Sequence, residues 1–122
     1  MRTEKKKVLI VDDEIEIVDF LSRFLQRLGV TAIKANSGEE ALRKYNEAHP
    51  DSVFLDIQMP DKDGLTILKE IKKIDSAVKV IMITGKDDKE LQAKAKKYGA
   101  LDYITKPLDL SELSAKINDY IL

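Results

Sequence analysis

Short apolar runs alternate with longer stretches of helical period along the chain. Val8-Leu9-Ile10-Val11 is unbroken, β-branched and brief. It predicts a strand buried on both faces, as parallel sheets require. Ile15, Val18, Leu21, Leu25 and Leu28 then recur at three- and four-residue steps. That spacing is one face of a helix, and Gly29 supplies its C-terminal stop. Val30 to Ala35 predicts a second strand, interrupted by Lys34. Ser37 and Glu40 have capping-box spacing and start a helix striped by Ala41, Leu42, Tyr45 and Ala48. His49-Pro50-Asp51 breaks it, with His49 on the surface. Val53-Phe54-Leu55 is a third strand that stops at Asp56, and a turn-rich loop runs from Gln58 to Gly64. Leu65, Leu68, Ile71 and Ile74 mark the next helix, and Val78 to Ile83 the fourth strand. Asp87 and Glu90 repeat the cap spacing ahead of Leu91, Ala95 and Tyr98, with Gly99 as the stop. Leu101 to Thr105 is a fifth strand. Asp109 and Glu112 cap a last helix carrying Leu110, Leu113, Ile117 and Ile121.

Strict strand–helix alternation predicts an α/β fold: a parallel sheet with helices on both faces. No internal repeat, low-complexity tract or linker-like stretch interrupts the 122 residues, so residues 1–122 are expected to form a single domain.

Composition narrows the chemistry. Positive charges number 21 and negative charges 22. Nucleic-acid binding by bulk positive charge is therefore not expected. The absence of cysteine excludes disulfides, thiolate catalysis and Cys-ligated metals, and a single histidine disfavours a His-rich metal site or a Ser-His-Asp triad. Apolar runs of about four residues fall far short of a membrane span, and the charged start through Lys7 does not lead into a signal-peptide core. No membrane association and a cytoplasmic location are expected.

In open α/β sheets, ligands bind beyond the carboxyl ends of the strands. The residues there are Asp12 and Asp13 after the first strand, Asp56 after the third, Thr84 after the fourth and Lys106-Pro107 after the fifth. Neighbouring strands lie roughly 4.8 Å apart, so these groups converge if the strands are neighbours. Three close carboxylates resist one another's ionisation and call for a compensating cation. Lys106 supplies one charge. Hard oxygen ligands favour Mg²⁺ for the rest, with Mn²⁺ able to substitute. Metal, ammonium and hydroxyl together suit the equatorial oxygens of a phosphoryl group in transfer, and a carboxylate oxygen would be its acceptor. Taken singly, each residue has a plainer role: Asp13 with Glu16 has helix-cap spacing, Asp56 suits a turn, Thr84 a cap, and Lys106 a solvated surface. Four strand ends fitted to one reaction favour the joint reading.

At these residues the chain resembles the receiver domain of bacterial response regulators. The likeness rests on Val8-Leu9-Ile10-Val11-Asp12-Asp13-Glu14, on Phe54 to Gly64, on Met82-Ile83-Thr84-Gly85 and on Gly99 to Pro107. It implies a flavodoxin-like (βα)5 fold, doubly wound, with a five-stranded sheet of order 2-1-3-4-5, for which a member of this family is a standard example. It implies Asp56 as the phosphoacceptor, Asp13 as a direct Mg²⁺ ligand with Asp56, Asp12 acting through water, and the Gln58 backbone carbonyl completing the set. Lys106 would pair with the phosphoryl group or, in its absence, with Asp56. Thr84 would bond a phosphoryl oxygen, Tyr103 would be the switch aromatic, and the bond before Pro107 would be cis. Gln58 and Lys86 occupy the positions that tune phosphate lifetime. The implied partners are a sensor histidine kinase or phosphotransfer protein as donor, and a downstream protein or C-terminal output domain as target.

Three other functions are weighed against this. A Mg²⁺-dependent phosphohydrolase with an Asp nucleophile would want an acid/base carboxylate where Gln58 stands. A degenerate, unphosphorylated interaction module would not need the full set of Asp12, Asp13, Asp56, Thr84 and Lys106. A flavin-binding flavodoxin would need a Ser/Thr/Gly-rich loop after the first strand, which is missing. Phe20 and Phe24 flank the first helix's core stripe and are expected to pack rather than dock a partner. The lysines Lys86, Lys89, Lys94, Lys96 and Lys97 are expected to form a solvated face beside the switch.

Overall fold

The computed structural model describes residues 6–85 and 89–122. In it the chain runs β1 (Lys7–Val11), α1 (Ile15–Arg27), β2 (Thr31–Ala35), α2 (Gly38–Ala48), β3 (Ser52–Asp56), α3 (Gly64–Ile74), β4 (Lys79–Thr84), α4 (Lys89–Lys97), β5 (Asp102–Thr105) and α5 (Leu110–Tyr120). All strand pairings are parallel and the sheet order is β2-β1-β3-β4-β5. The strand residues divide by parity. Leu9, Val11, Val53, Leu55, Val80 and Met82 enter one core with Ala41, Tyr45, Ile67, Leu68, Ile71 and Ala95 of α2, α3 and α4. Val8, Ile10, Phe54, Ile81 and Ile83 enter the other with Val18, Leu21, Leu25, Leu113 and Ile117 of α1 and α5. Because helices cover both faces, the central strands read as continuous apolar runs rather than alternating ones. Each fully buried aliphatic or aromatic side chain contributes roughly 1.5–3 kcal/mol.

Element ends differ from the sequence pattern by a residue or so, for identifiable reasons. Val30 and Val78 are buried but precede their strands. The Val30 N–H closes the α1 terminus on the Leu25 carbonyl at 3.1 Å, and that of Val78 closes a turn on the Asp75 carbonyl at 3.4 Å. Gly29 and Gly99 end α1 and α4 with φ of +83° and +107°, as their positions predict. His49 ends α2 in the left-handed region at φ 49°, its N–H bonded to the Tyr45 carbonyl. Ser37, Asp63 and Asp109 each accept a backbone N–H at a helix start, whereas Asp87 lies outside the described residues. The Ser37 box is shifted: Glu40 reaches back to the Asn36 N–H at 2.7 Å, not to that of Ser37. The Asp13–Glu16 spacing does not produce a cap. Glu14 is the cap position of α1 and makes no capping bond, while Asp12 accepts the Glu14 N–H at 2.9 Å. Ile15, Leu28, Ile74 and Leu110 fit their helices' apolar stripes yet are 44–64% exposed, and all four lie at or beside helix ends.

Candidate phosphoacceptor site

The sheet order makes β1, β3, β4 and β5 contiguous, so their carboxyl ends form one edge. Register then sets the level. Val11 is opposite Leu55, Asp56 is opposite Ile83, and Thr84 is opposite Thr105. Asp12, Asp56 and Thr84 are all buried at this edge, whereas Asp13 is exposed. One carboxylate oxygen from each of Asp12, Asp13 and Asp56 lies within 4.8 Å of the others, and among the described residues they are the acidic group suited to hold a metal ion. The Lys106 Nζ enters from the far strand, 2.9 Å from Asp12 Oδ2 and 3.7 Å from Asp56 Oδ2. The Lys106–Pro107 bond is cis.

Lys106 makes its shortest contact with Glu14 Oε1, at 2.6 Å. The pairing with Asp56 implied by the family likeness is thus met only at the longer distance, since Asp12 and Glu14 compete for the same ammonium. Nothing in the sequence pattern singles out Glu14, which lies 92 residues from its partner.

Electrostatics follow from burial. Desolvation first, and the neighbouring Asp12 second, push the Asp56 carboxyl up to about 7, against the lowering influence of Lys106 and the Gln58 N–H. Desolvation likewise raises Asp12. Burial pulls Lys106 down, but Glu14, Asp12 and Asp56 outweigh it and hold the ammonium above its ordinary range. Asp12 Oδ2 is buried and close to the ammonium, yet makes no directed hydrogen bond. Carboxylates held charged in such a place need more positive charge than one lysine supplies. A hard divalent cation on the oxygens of Asp12, Asp13 and Asp56 fits that deficit.

The loop after β3 is built as a rigid rim. Asp56 Oδ1 accepts the Gln58 N–H at 3.2 Å, and the Gly64 N–H bonds the Ile57 carbonyl at 2.8 Å. The loop's tip is tied to the start of α2, where Asp61 accepts the N–H groups of Gly38 and Glu39 at 3.0 and 3.1 Å. Those bonds hold the Asp61 carboxyl below its ordinary range. Beside the acidic cluster opens a pocket of about 530 Å³ bounded by Asp13, Gln58, Met59, Asp61, Lys62 and Leu91. Lys86 lies outside the described residues.

Tyr103 stands on β5, half-buried, on the face away from α1. Its ring lies 5.3 Å from the Lys116 ammonium and 5.8 Å from that of Lys96. Lys116 also donates to the Tyr103 carbonyl at 2.6 Å and pairs with Asp102 at 3.3 Å, and the Tyr120 hydroxyl donates to Asp102 at 3.0 Å. The sequence reading did not pick out Lys116, Asp102 or Asp61, whose roles depend on contacts between elements. Phe20 and Phe24 stack on one another at 6.2 Å, with Phe20 39% exposed, so only Phe24 packs against the core as expected.

Residues 8–118 match the family model described as the response regulator receiver domain. The chain belongs to that family. Among similar proteins, the alkaline phosphatase synthesis transcriptional regulatory protein PhoP of Bacillus subtilis is 38% identical over 112 residues, covering 92% of this chain and 47% of PhoP. A probable transcriptional regulator, ycf27, of Guillardia theta is 43% identical over 113 residues, 93% of this chain and 44% of its own. This receiver chain therefore spans about half the length of these curated relatives. In three dimensions it is similar to the chemotaxis protein CheY4 of Vibrio cholerae, with a TM-score of 0.91 at 28% identity over 97% of this chain and 100% of that one. A response regulator receiver domain protein from Clostridium thermocellum gives 0.88 at 37% identity, over 95% and 94%. The receiver is a signalling domain of two-component systems, and among its described residues no helix is long and apolar enough to cross a membrane.

Proposed function

We propose that this receiver domain is a phosphorylation-driven switch in which Asp56 accepts the phosphoryl group. The observation that carries the reading is the meeting of Asp12, Asp13, Asp56 and Lys106 at one sheet edge. The donor is a phosphohistidine on a sensor kinase or phosphotransfer protein. An Asp56 carboxylate oxygen attacks phosphorus, the phosphorus–nitrogen bond breaks, and neutral imidazole leaves after taking up a proton. Asp13, Asp56 and the Gln58 carbonyl would hold Mg²⁺, with Asp12 acting through water. When bound, the ion neutralises charge on the transferring oxygens. Lys106 and Thr84 hold the phosphoryl oxygens.

The modification adds about one more negative charge at the sheet edge than the carboxylate carried. Thr84 and Lys106 follow that charge, Tyr103 shifts between outward and inward positions, and the α4–β5–α5 surface changes its affinity for a downstream protein or a C-terminal output domain. Residues 1–122 act as one cytoplasmic domain that binds neither membrane nor nucleic acid directly. As phosphoacceptor it assists its own phosphotransfer and slow autodephosphorylation but turns over no free substrate. A two-dimensional NMR comparison, with and without a small phosphodonor and Mg²⁺, tests the switch. Backbone signals of Thr84, Tyr103 and Lys116 are expected to move in the wild type and stay fixed in Asp56→Ala. Shifts confined to the rim around Asp56 would refute transmission to the far face.

Lifetime is a second expectation. Gln58 and Lys86 are long side chains that would hinder a water approaching in line with the leaving carboxylate. Gln58→Asn and Lys86→Ala are expected to speed loss of phosphate in a dephosphorylation time course. No acceleration in either would remove that role.

A further inference from the structure

Among the described residues three carboxylates contact the Lys106 ammonium, and they differ in how easily they let go. Asp12 is wholly buried at the end of β1, and its Oδ1 is also held by the Glu14 N–H at 2.9 Å. Asp56 is buried and lies farthest, at 3.7 Å. Glu14 makes the closest contact, at 2.6 Å, yet its side chain is 59% exposed. It can swing into water with little change in its solvation, whereas the other two have no such exit.

We propose that Glu14 is a positioning residue that parks the Lys106 ammonium short of Asp56 and releases it when a phosphoryl group arrives. The inference rests on the reading of Asp56 as phosphoacceptor. An exposed monoanion is the weakest competitor for the ammonium, and a phosphoryl group brings more charge and three acceptor oxygens. Without the Glu14 carboxylate, the acidic contacts left to Lys106 among the described residues are Asp12 and Asp56, and it spends more time where the incoming oxygens develop charge. The site would then react faster, because one competing contact no longer has to break.

Removing any acid near the site also weakens general repulsion of an anionic donor. Glu16 controls for that effect: it lies in the same first turn of α1, is exposed, and is not among the described partners of Lys106. The experiment compares wild type, Glu14→Gln and Glu16→Gln in two ways. Phosphorylation by acetyl phosphate with Mg²⁺ is followed across donor concentrations. Separately, the side-chain NMR signal of Lys106 is recorded in metal-free, unphosphorylated protein. Glu14→Gln is expected to raise the limiting phosphorylation rate roughly two- to fivefold over Glu16→Gln, the range of an exposed ion pair, and to shift the Lys106 signal. Equal rates in the two variants, or an unmoved Lys106 signal, would overturn the inference. A wild-type chain that takes up no phosphate overturns the phosphoacceptor reading itself, and is distinguished because the parent then fails along with the variants.

Discussion

Replacing Gly64 with alanine is expected to lower the melting temperature by roughly 10 °C or more and to slow phosphorylation with it. A Cβ on Gly64 would lie 2.2 Å from the Asp56 carbonyl oxygen, 2.6 Å from the Ile57 Cα and 2.9 Å from the Ile57 carbonyl oxygen. All three atoms are backbone, so no side chain can turn aside to make room. The end of β3 would have to move, carrying Asp56 away from Asp12 and Lys106. Overpacking a well-filled site costs typically about 1–3 kcal/mol, and a clash with rigid backbone belongs at the upper end or beyond. Glycine is needed here for space rather than for an unusual φ. Gly85 offers the contrast, since a Cβ there meets nothing within 4 Å among the described residues. Thermal melts followed by circular dichroism should show a large loss for Gly64→Ala and little for Gly85→Ala. Equal losses would mean that the approach of α3 to the strand end is not a constraint.

The second large effect has the opposite sign. In a chelator at pH 8, Asp56→Asn is expected to stabilise the domain by on the order of 4 kcal/mol, since each unit of pKa shift corresponds to ~1.4 kcal/mol. Asp56 is raised in the folded chain from 3.8 to about 7, through desolvation and then Asp12. The folded state thus binds more protons than the unfolded one between those values, and wild-type stability falls as pH rises through that window. The penalty is absent below about pH 4 and complete above about pH 7. Asp12 is raised too and adds in the same direction. Asparagine carries no charge to desolvate, so its advantage should grow from pH 4 to pH 8. Urea melts of both proteins at the two pH values check this. A pH-independent gain, or a less stable variant, would contradict the electrostatic account. Adding Mg²⁺ at pH 8 should narrow the gap by stabilising the wild type, because the cation offsets the charge that destabilises it.

The fold was legible because each signal was local and several agreed. Val8 to Val11 is apolar without a break because both sheet faces are covered, and Gly29, Gly99, Ser37 and Asp109 punctuate helices by their own backbone chemistry. The strand-end residues were legible for a geometric reason: a parallel sheet brings all its carboxyl ends to one edge, so position in the sequence becomes position in the site. Contacts made across elements were not. Glu14 meets Lys106 over 92 residues, and Asp61 ties a loop to α2 over 23 and 22 residues, with no periodicity or spacing to mark them. Helix stripes overreached at Ile15 and Leu110, where the apolar period runs to the first residue of the helix but burial does not. The Asp13 cap did not form because α1 starts one residue later than that spacing implies, with Glu14 at the cap position.

Intact-mass spectrometry after incubation with acetyl phosphate and Mg²⁺ reads the modification of Asp56 itself. A gain of one phosphate is expected on the wild-type chain, absent when Mg²⁺ is removed and absent in Asp56→Ala. An unchanged mass in the wild type, or a gain that persists in Asp56→Ala, would contradict Asp56 as the phosphoacceptor.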